Sequence, residues 1–269
     1  MNTPPRFSII TACFNAARTL GRTLESLQQQ RCRDFEWIVV DGGSTDGTLA
    51  LLEEHKALVD VLLPGPDRGI SDAFNKGVAR ARGEFVGILN ADDFYLPDTL
   101  ATVAALAEGR PEVDVWCGRQ RYVDEQGAPV TVFDADPTLL PTAMTVNHIA
   151  SFSRRQLYRR QGGFKLEYRA AMDYELYLRC FTRGAVFERT NAVLAVMALG
   201  GTSDRNWRRA LREVRQAQLE HGVAMTQAQA RYAYGVLKGQ ARRWLERAGA
   251  HGVVDVYRRR VASVARSQR

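Results

Sequence analysis

Phe35-Glu-Trp-Ile-Val-Val-Asp-Gly-Gly-Ser-Thr-Asp-Gly-Thr48 carries an apolar run directly into a polar turn that contains three glycines. The run has the length and the aromatic and β-branched residues of a buried strand. Apolar residues at helical spacing follow from Leu49, and Ser44 and Asp46 are residue types that cap the start of a helix. The segment therefore predicts a strand, a turn and a helix in that order.

The same alternation extends on both sides of this segment. The pattern predicts further strands at 7–14, 59–63 and 84–89, with helices at 17–30 and 70–81 between them. This order is typical of an α/β fold with a mostly parallel sheet flanked by helices. Ligands of such sheets gather at the carboxyl ends of the strands, where residues distant in sequence meet. We therefore expect the functional site at that edge.

Beyond Asp93 the predicted strands are shorter, and we expect them to extend the sheet. These strands lie near 113–123, 130–133 and 147–153, helices follow near 154–161 and 173–183, and an apolar run covers 192–199. The sequence has no internal repeat and no low-complexity linker.

The net charge of +7 is unevenly placed along the 269 residues. From Arg205 to Arg269 there are 15 Lys or Arg against four Asp or Glu, whereas the preceding part is mildly acidic. Apolar residues at helical spacing accompany these arginines. We therefore divide the chain into an α/β domain at 1–203 and a basic helical C-terminal extension at 204–269.

Charge and hydropathy also bear on location. The first six residues lack the apolar core of a secretory signal, and no stretch approaches the roughly 18 apolar residues of a spanning helix. We expect a cytoplasmic protein. The basic and aromatic residues of the extension suit an anionic membrane surface, which gives the hypothesis of peripheral attachment at the inner face of the cell membrane. A solvated arginine-rich face is the alternative.

Four segments carry side chains suited to chemistry, and each has a plain structural alternative. Asn90-Ala-Asp-Asp93 offers hard oxygen ligands for Mg²⁺ or Mn²⁺, or forms a solvated turn. Asp41 and its glycines can approach a nucleoside, or form a capped turn. Arg68 can pair with a phosphate, or with Asp67. Asp173 opens a predicted helix, where an acid is usually a cap or a dipole partner.

Taken together, five segments resemble glycosyltransferase family 2 in order and spacing over roughly residues 7–203. They are Ser8-Ile-Ile-Thr-Ala-Cys-Phe-Asn15, Ile38-Val-Val-Asp-Gly-Gly-Ser-Thr-Asp-Gly47, Asp67-Arg-Gly69, Leu89-Asn-Ala-Asp-Asp93 and Met172-Asp-Tyr-Glu175. The resemblance implies a GT-A fold, a nucleoside diphosphate-sugar donor and a divalent cation, Mn²⁺ or Mg²⁺.

The resemblance also implies roles for single residues on the donor side. The family's Asp-x-Asp-type motif reads Asn90-Ala-Asp92 here, so Asp92 is implied as the metal ligand. Asn90 and Asp93 then belong to the nucleotide-sugar site, where Asp93 assists or orients a substrate hydroxyl. Thr11, Asn15 and Asp41 are implied to line the nucleoside pocket, and Arg68 to lie nearer the diphosphate or the base.

On the acceptor side, the resemblance implies that Asp173 is the general base, although Met172 replaces the acid or polar residue that usually precedes it. His148 lies in a segment that resembles one beside the acceptor. A half-buried structural histidine is the alternative for His148.

These residues predict an inverting transfer of a sugar from a nucleoside diphosphate-sugar, with UDP-sugar as the default, to an acceptor hydroxyl. The expected acceptor is a glycan or a lipid-linked glycan in surface-polysaccharide or O-antigen-type biosynthesis. A nucleotide-binding oxidoreductase is one alternative, but no GxGxxG motif follows the first strand. A non-catalytic relative is another, suggested by Asn90. We expect no nucleic-acid partner, because an acidic crevice repels phosphates and no nucleic-acid motif is present.

Overall fold

The first half of the chain alternates strands and helices as the sequence predicts, in a computed structural model that describes residues 3–124, 126–198 and 206–247. The order is β1 (Phe7–Cys13), α1 (Leu20–Gln28), β2 (Phe35–Asp41), α2 (Thr48–Glu54), β3 (Val61–Pro64), α3 (Ile70–Arg80) and β4 (Phe85–Ile88). Strand β1 pairs in parallel with β2 and β4, and β2 pairs in parallel with β3. The carboxyl ends of these four strands therefore meet at one edge.

The second half extends this sheet and makes it mixed. It contains β5 (Phe94–Tyr95), α4 (Thr99–Ala107), β6 (Val115–Val123), β7 (Pro129–Phe133), β8 (Ser151–Arg154), α5 (Arg155–Gln161), α6 (Met172–Thr182) and β9 (Phe187–Ala198). The strand order is β3-β2-β1-β4-β8-β6-β9-β5, with β7 on β6. Strand β8 starts at the carboxyl end of β4 and runs back antiparallel to it. The α/β class is confirmed, while parallel pairing dominates only in the first half.

Two details of the second half differ from the sequence prediction. Helix α4 was not predicted, because its alanine-rich sequence has a weak apolar stripe, although Leu100 and Val103 are buried on one side. The strand predicted at 147–153 is a 3₁₀ turn at His148–Ala150 followed by β8. His148 therefore lies in a turn at the carboxyl edge of the sheet.

Both faces of the sheet are covered by apolar residues, as parallel pairing requires. Strand β1 gives Phe7 and Ile9 to the core on one face and Ile10 to the core on the other. Helix α3 approaches β1 so closely that a Cβ added at Gly77 would lie 2.4 Å from the side chain of Ile10. A larger residue at position 77 would push α3 away from the strand.

The basic extension contains two helices within the described residues, α7 (Trp207–Glu220) and α8 (Met225–Arg247). Glu213 of α7 accepts hydrogen bonds at Oε2 from three successive backbone N–H groups, those of Arg169, Ala170 and Ala171, at 3.0, 2.7 and 2.9 Å. These groups immediately precede α6. Helix α7 is thus attached to the start of α6, and α8 packs on α7.

The boundary predicted between residues 203 and 204 lies outside the described residues, as does everything from residue 248 onward. Within the described ranges, none of the helices combines the length and the apolar character needed to cross a bilayer.

The attachment through Glu213 depends on its charge. Burial favours the neutral acid, but hydrogen bonds from the backbone at 169–171 and from Arg209 outweigh it, so the pKa of Glu213 is lowered. A carboxyl whose folded-state pKa is lowered stabilises the fold above its ordinary pKa, and that stabilisation is lost as the pH falls.

We predict that Glu213→Gln lowers the free energy of unfolding at neutral pH by about 2 kcal/mol, since the amide replaces a charged acceptor of several N–H groups. Urea unfolding followed by circular dichroism measures this. The difference from the unsubstituted protein should shrink as the pH falls below about 4, where the carboxyl is protonated. The control is Glu53→Gln, which breaks an exposed, solvent-screened pair with Lys56 and should leave the free energy of unfolding almost unchanged. Equal costs for the two variants would contradict the assigned role of Glu213.

Candidate active site

The turn after β2 is organised by Asp41, which is fully buried. Its Oδ1 accepts hydrogen bonds from the backbone N–H groups of Gly43 and Ser44 at 3.0 and 2.9 Å, and its Oδ2 accepts one from the Ser44 hydroxyl. A carboxylate that accepts several bonds from its own turn fixes the path of that turn. Asp41 therefore fixes the conformation of the turn at the carboxyl edge of the sheet.

Asn15 joins the turn after β1 to this turn. Its backbone N–H donates to Ser44 Oγ at 2.8 Å, and its Oδ1 accepts from the backbone N–H of Thr45 at 2.9 Å. Asn15 has a φ of 51°, in the left-handed region that asparagine tolerates better than most residues. Asn15 is thus joined through Ser44 to the turn that the buried Asp41 side chain organises. That these residues line a nucleoside pocket stays a prediction.

The Thr11 side chain does not lie with these turns at the edge of the sheet. It is fully buried, and its hydroxyl accepts a hydrogen bond from Trp37 Nε1 at 3.0 Å inside the core. A fully buried side chain has no surface to offer a nucleoside. The placement therefore does not support the expectation that Thr11 lines the pocket, and it gives Thr11 a role in holding β1 against β2.

Phe14 is a feature of this edge that the sequence analysis missed. Its ring is 65% exposed, directly after β1 and close to Gly42. Exposed aromatic rings provide flat surfaces on which planar groups stack. The sequence feature that could have pointed to Phe14 is the position of a large apolar residue between a buried strand and Asn15.

The loop before α3 places Arg68 at the surface, where it pairs with an acid other than Asp67. Arg68 Nη2 lies 3.1 Å from Asp72 Oδ1, not against Asp67, and its side chain is 73% exposed. Hydrogen bonds from the Arg68 backbone N–H, Arg68 Nη2 and Lys76 lower the pKa of Asp72 to about 2. Asp67 packs against Gly42, so this loop adjoins the turn after β2. Arg169 donates to the backbone carbonyl of Arg68 from the other side.

The acidic motif follows β4 and contains one buried and one accessible carboxylate. Asp93 is almost fully buried, and its Oδ2 accepts a hydrogen bond from Asn90 Nδ2 at 2.9 Å. Its Oδ1 is buried and has no hydrogen-bond partner among the described residues. Burial and the charge of Asp92 raise the pKa of Asp93 to about 7, against the opposing effects of Asn90 and His148. Asp92 beside it is half-buried.

His148 connects this motif to the start of α6. Its Nδ1 lies 2.8 Å from Asp173 Oδ2, and its Nε2 lies 3.2 Å from Asn90 Nδ2. Burial alone would lower the pKa of His148, but the hydrogen bond to Asp173 and the charges of Asp173, Asp93 and Asp92 raise it. The side chains of His148 and Asp173 are 13% and 16% exposed. A continuous series of contacts therefore runs from Asp93 through Asn90 and His148 to Asp173.

A second group of metal-ligand residue types lies elsewhere, at Glu175, Glu220 and His221. The ammonium of Lys165 already bridges the two glutamates at 3.0 and 2.7 Å, and Arg179 pairs with Glu175. These cations satisfy the carboxylates. The group is therefore an ion-pair network that joins α6 to α7.

Residues 8–177 match the family described as Glycosyl transferase family 2, and the chain belongs to that family. It is a glycosyltransferase. It is 35% identical over 189 residues to a PGL/p-HBAD biosynthesis glycosyltransferase of Mycobacterium tuberculosis, covering 69% of this chain and 73% of that one.

Solved structures with the same fold include Staphylococcus aureus TarS 1-349 in complex with UDP-GlcNAc. The TM-score is 0.64 at 20% identity, over 86% of this chain and 71% of that one. A mannosyltransferase from Pyrobaculum calidifontis in complex with GDP-Man and Mn²⁺ matches with a TM-score of 0.62 at 20% identity, over 99% of this chain and 89% of that one. The GT-A expectation is confirmed, and family membership sets aside the oxidoreductase alternative.

We predict that Thr11→Val destabilises the fold by about 1–3 kcal/mol, because it leaves the buried Trp37 N–H without an acceptor. Nucleoside diphosphate affinity should stay unchanged in the folded fraction. The double variant Thr11→Val with Trp37→Phe should cost less than the sum of the single variants, since neither group is then left unpaired. Chemical denaturation and calorimetric titration measure the two effects. Loss of affinity without loss of stability would restore Thr11 to the nucleoside pocket.

Proposed function

We propose that this glycosyltransferase moves a sugar from a nucleoside diphosphate-sugar to an acceptor hydroxyl in a single inverting displacement. The observation that carries the proposal is the pairing, through His148, of a carboxylate at the start of α6 with the acidic motif after β4. One group of residues faces the departing diphosphate, and one base faces the acceptor. A single base is what a single displacement requires.

The donor side of the proposal uses the loops after β1, β2 and β3. The exposed Asn15 and the turn that the buried Asp41 organises receive the nucleoside, and the exposed ring of Phe14 provides a stacking surface for its base. Arg68, with its exposed guanidinium, is available to the diphosphate. UDP is the first candidate because TarS is described with UDP-GlcNAc, and the GDP-Man of the archaeal neighbour keeps GDP open.

The acidic motif fits a divalent cation on the chemistry of its donor atoms. Asp92 is a half-buried carboxylate, and Asp93 beside it has a buried oxygen without a hydrogen-bond partner in the described part of the chain. Carboxylate oxygens are preferred ligands of Mn²⁺ and Mg²⁺. We propose Asp92 as the ligand, with Asp93 and Asn90 supporting the donor. The cation, when bound, supplies positive charge to the diphosphate.

Asp173 is proposed as the general base. Its carboxylate lies in the first turn of α6, within hydrogen-bond distance of His148. Asp173 accepts the proton of the acceptor hydroxyl while the oxygen attacks the anomeric carbon. The nucleoside diphosphate leaves from the opposite face, so the configuration inverts.

The proposed acceptor is a glycan or a lipid-linked glycan of the surface-polysaccharide type. The mycobacterial relative is named for PGL/p-HBAD biosynthesis, which supports a glycolipid-like acceptor. Helix α8 exposes Tyr234, Leu237 and Trp244 at spacings of three and seven residues, on one side of the helix and within the basic extension. We propose that this surface docks the enzyme on the anionic inner face of the cell membrane.

We predict that UDP raises the melting temperature only with Mn²⁺ or Mg²⁺ present, because a ligand of the folded state stabilises it. GDP and dTDP serve as the comparison ligands. Asp92→Ala should abolish the cation-dependent part of the shift, and the control Asp98→Ala, an exposed carboxylate paired with Arg31, should preserve it. An unchanged cation-dependent shift in Asp92→Ala would show that residues other than Asp92 bind the cation.

We predict that Asp173→Asn lowers turnover by about 100-fold or more while donor affinity is retained, as expected for loss of a general base. The asparagine oxygen can still accept from His148, so the fold should be kept. Release of nucleoside diphosphate measures turnover, and NMR of the product gives the anomeric configuration. The control is Glu167→Gln, in the loop before α6. Near-normal turnover of Asp173→Asn, or a product with retained configuration, would contradict the mechanism.

We predict that the full chain floats with vesicles that contain anionic phospholipid and not with neutral ones, in a salt-dependent manner. Leu237→Gln combined with Trp244→Gln should reduce this binding about tenfold or more, because the apolar contribution to docking is removed. Tyr122→Phe, a change remote from α8, is the control. Equal flotation with neutral vesicles, or no effect of the double variant, would contradict the proposal that this surface of α8 docks on the membrane.

A further inference from the structure

We infer that His148 is the positioning residue of the base, and that the Asn90 amide holds His148 on the side of the ring that faces the acidic motif. The inference rests on the proposed function, in which Asp173 takes the acceptor proton. It assigns a structural role to the amide that this chain carries at the first position of the motif.

The contacts of Asp173 define what His148 does. Asp173 Oδ2 accepts from His148 Nδ1 at 2.8 Å, and Oδ1 accepts from the backbone N–H of Tyr174 at 2.8 Å. Each carboxylate oxygen has two lone pairs, so each retains one for an acceptor hydroxyl. The two bonds together fix the rotation of the carboxylate. Loss of the histidine bond would leave the base held by its own helix on one side only.

The Asn90 amide contacts both the acidic motif and His148. The Asn90 amide carries two hydrogens, and its Nδ2 lies 2.9 Å from Asp93 Oδ2 and 3.2 Å from His148 Nε2. His148 Nε2 also lies 3.3 Å from Asn90 Oδ1, so the amide can accept from a protonated Nε2 or donate to an unprotonated one, and in both cases Nδ1–H donates to Asp173. An ionised aspartate at position 90 could not donate to Asp93. The amide therefore links the acidic motif to the base.

The arrangement of the imidazole suits this role. Its ring packs near Phe74 with the centroids 6.1 Å apart, and it is mostly buried in the 3₁₀ turn before β8. The two ring nitrogens point in different directions, so one rigid group holds two partners at a fixed separation. Because β8 is paired with β4, the turn that carries His148 is anchored beside the motif.

A matched pair of substitutions separates the two contacts of the ring. His148→Asn places an amide N–H near the position of Nδ1 and keeps the bond to Asp173, whereas His148→Gln places an amide near Nε2 and keeps the contact with Asn90. We expect His148→Gln to lower kcat about 100-fold and His148→Asn to lower it less than about tenfold, since a base displaced by about 1 Å costs about 100-fold. Donor KM should be unchanged in both variants.

Turnover is measured as nucleoside diphosphate release from the donor found in the binding screen, with a glycan acceptor or with water as acceptor. Equal losses in the two variants, or a larger loss in His148→Asn, would overturn the inference. Normal turnover of Asp173→Asn would instead overturn the proposed function, while a defective Asp173→Asn beside an unaffected His148→Gln would overturn this inference alone.

A measurement on the intact protein covers the case in which neither variant folds. ¹⁵N NMR of the histidine side chains should find the Nδ1 of His148 protonated, with a resonance that moves in Asp173→Asn. A neutral ring protonated at Nε2 alone would overturn the inference, because it has no hydrogen to donate to Asp173.

Discussion

Parallel pairing of β1 with both β2 and β4 is the constraint from which the rest of the structure follows. Strands that run in the same direction place every following turn at one edge, so the turns that carry Asn15, Asp41 and Asp93 open side by side. Helical crossovers are needed to return the chain, and they bury both faces of the sheet. The antiparallel strand β8 then brings His148 to the same edge from the opposite direction.

The buried carboxyl groups of the protein differ in how fully they are hydrogen-bonded. Glu36 accepts from Ser8 and Arg82, and Glu213 accepts from three N–H groups and Arg209, so both carboxylates are satisfied within the protein. Asp93 is different, because one of its oxygens is buried without a partner among the described residues. Several other buried polar atoms also lack a partner among the described residues, but Asp93 Oδ1 is the carboxyl oxygen among them and it lies in the acidic motif.

The sequence predicted the first half of the fold well because each strand there is a continuous apolar run followed by a polar turn. It missed α4, whose alanines form a helix without a clear stripe, and it read the turn at His148 as part of a strand. The resemblance implied roles for Asp173 and the acidic motif, which stay predictions, but spacing cannot tell which way a side chain points. Thr11 alternates inward on β1 and bonds to Trp37, a contact that depends on the packing of two strands. Arg68 pairs with Asp72, one helical turn away, and not with its neighbour Asp67.

The attachment of α7 to the backbone at 169–171 has a consequence for where this protein can be divided. Composition separates the chain at residue 203, yet a chain cut there would leave the three N–H groups ahead of α6 without their carboxylate acceptor. Those groups lie two to four residues before Asp173. The smallest cooperative folding unit therefore includes α7, and a mechanical load on the extension, such as tension between a docked α8 and the sheet, would be transmitted to the helix that carries the base.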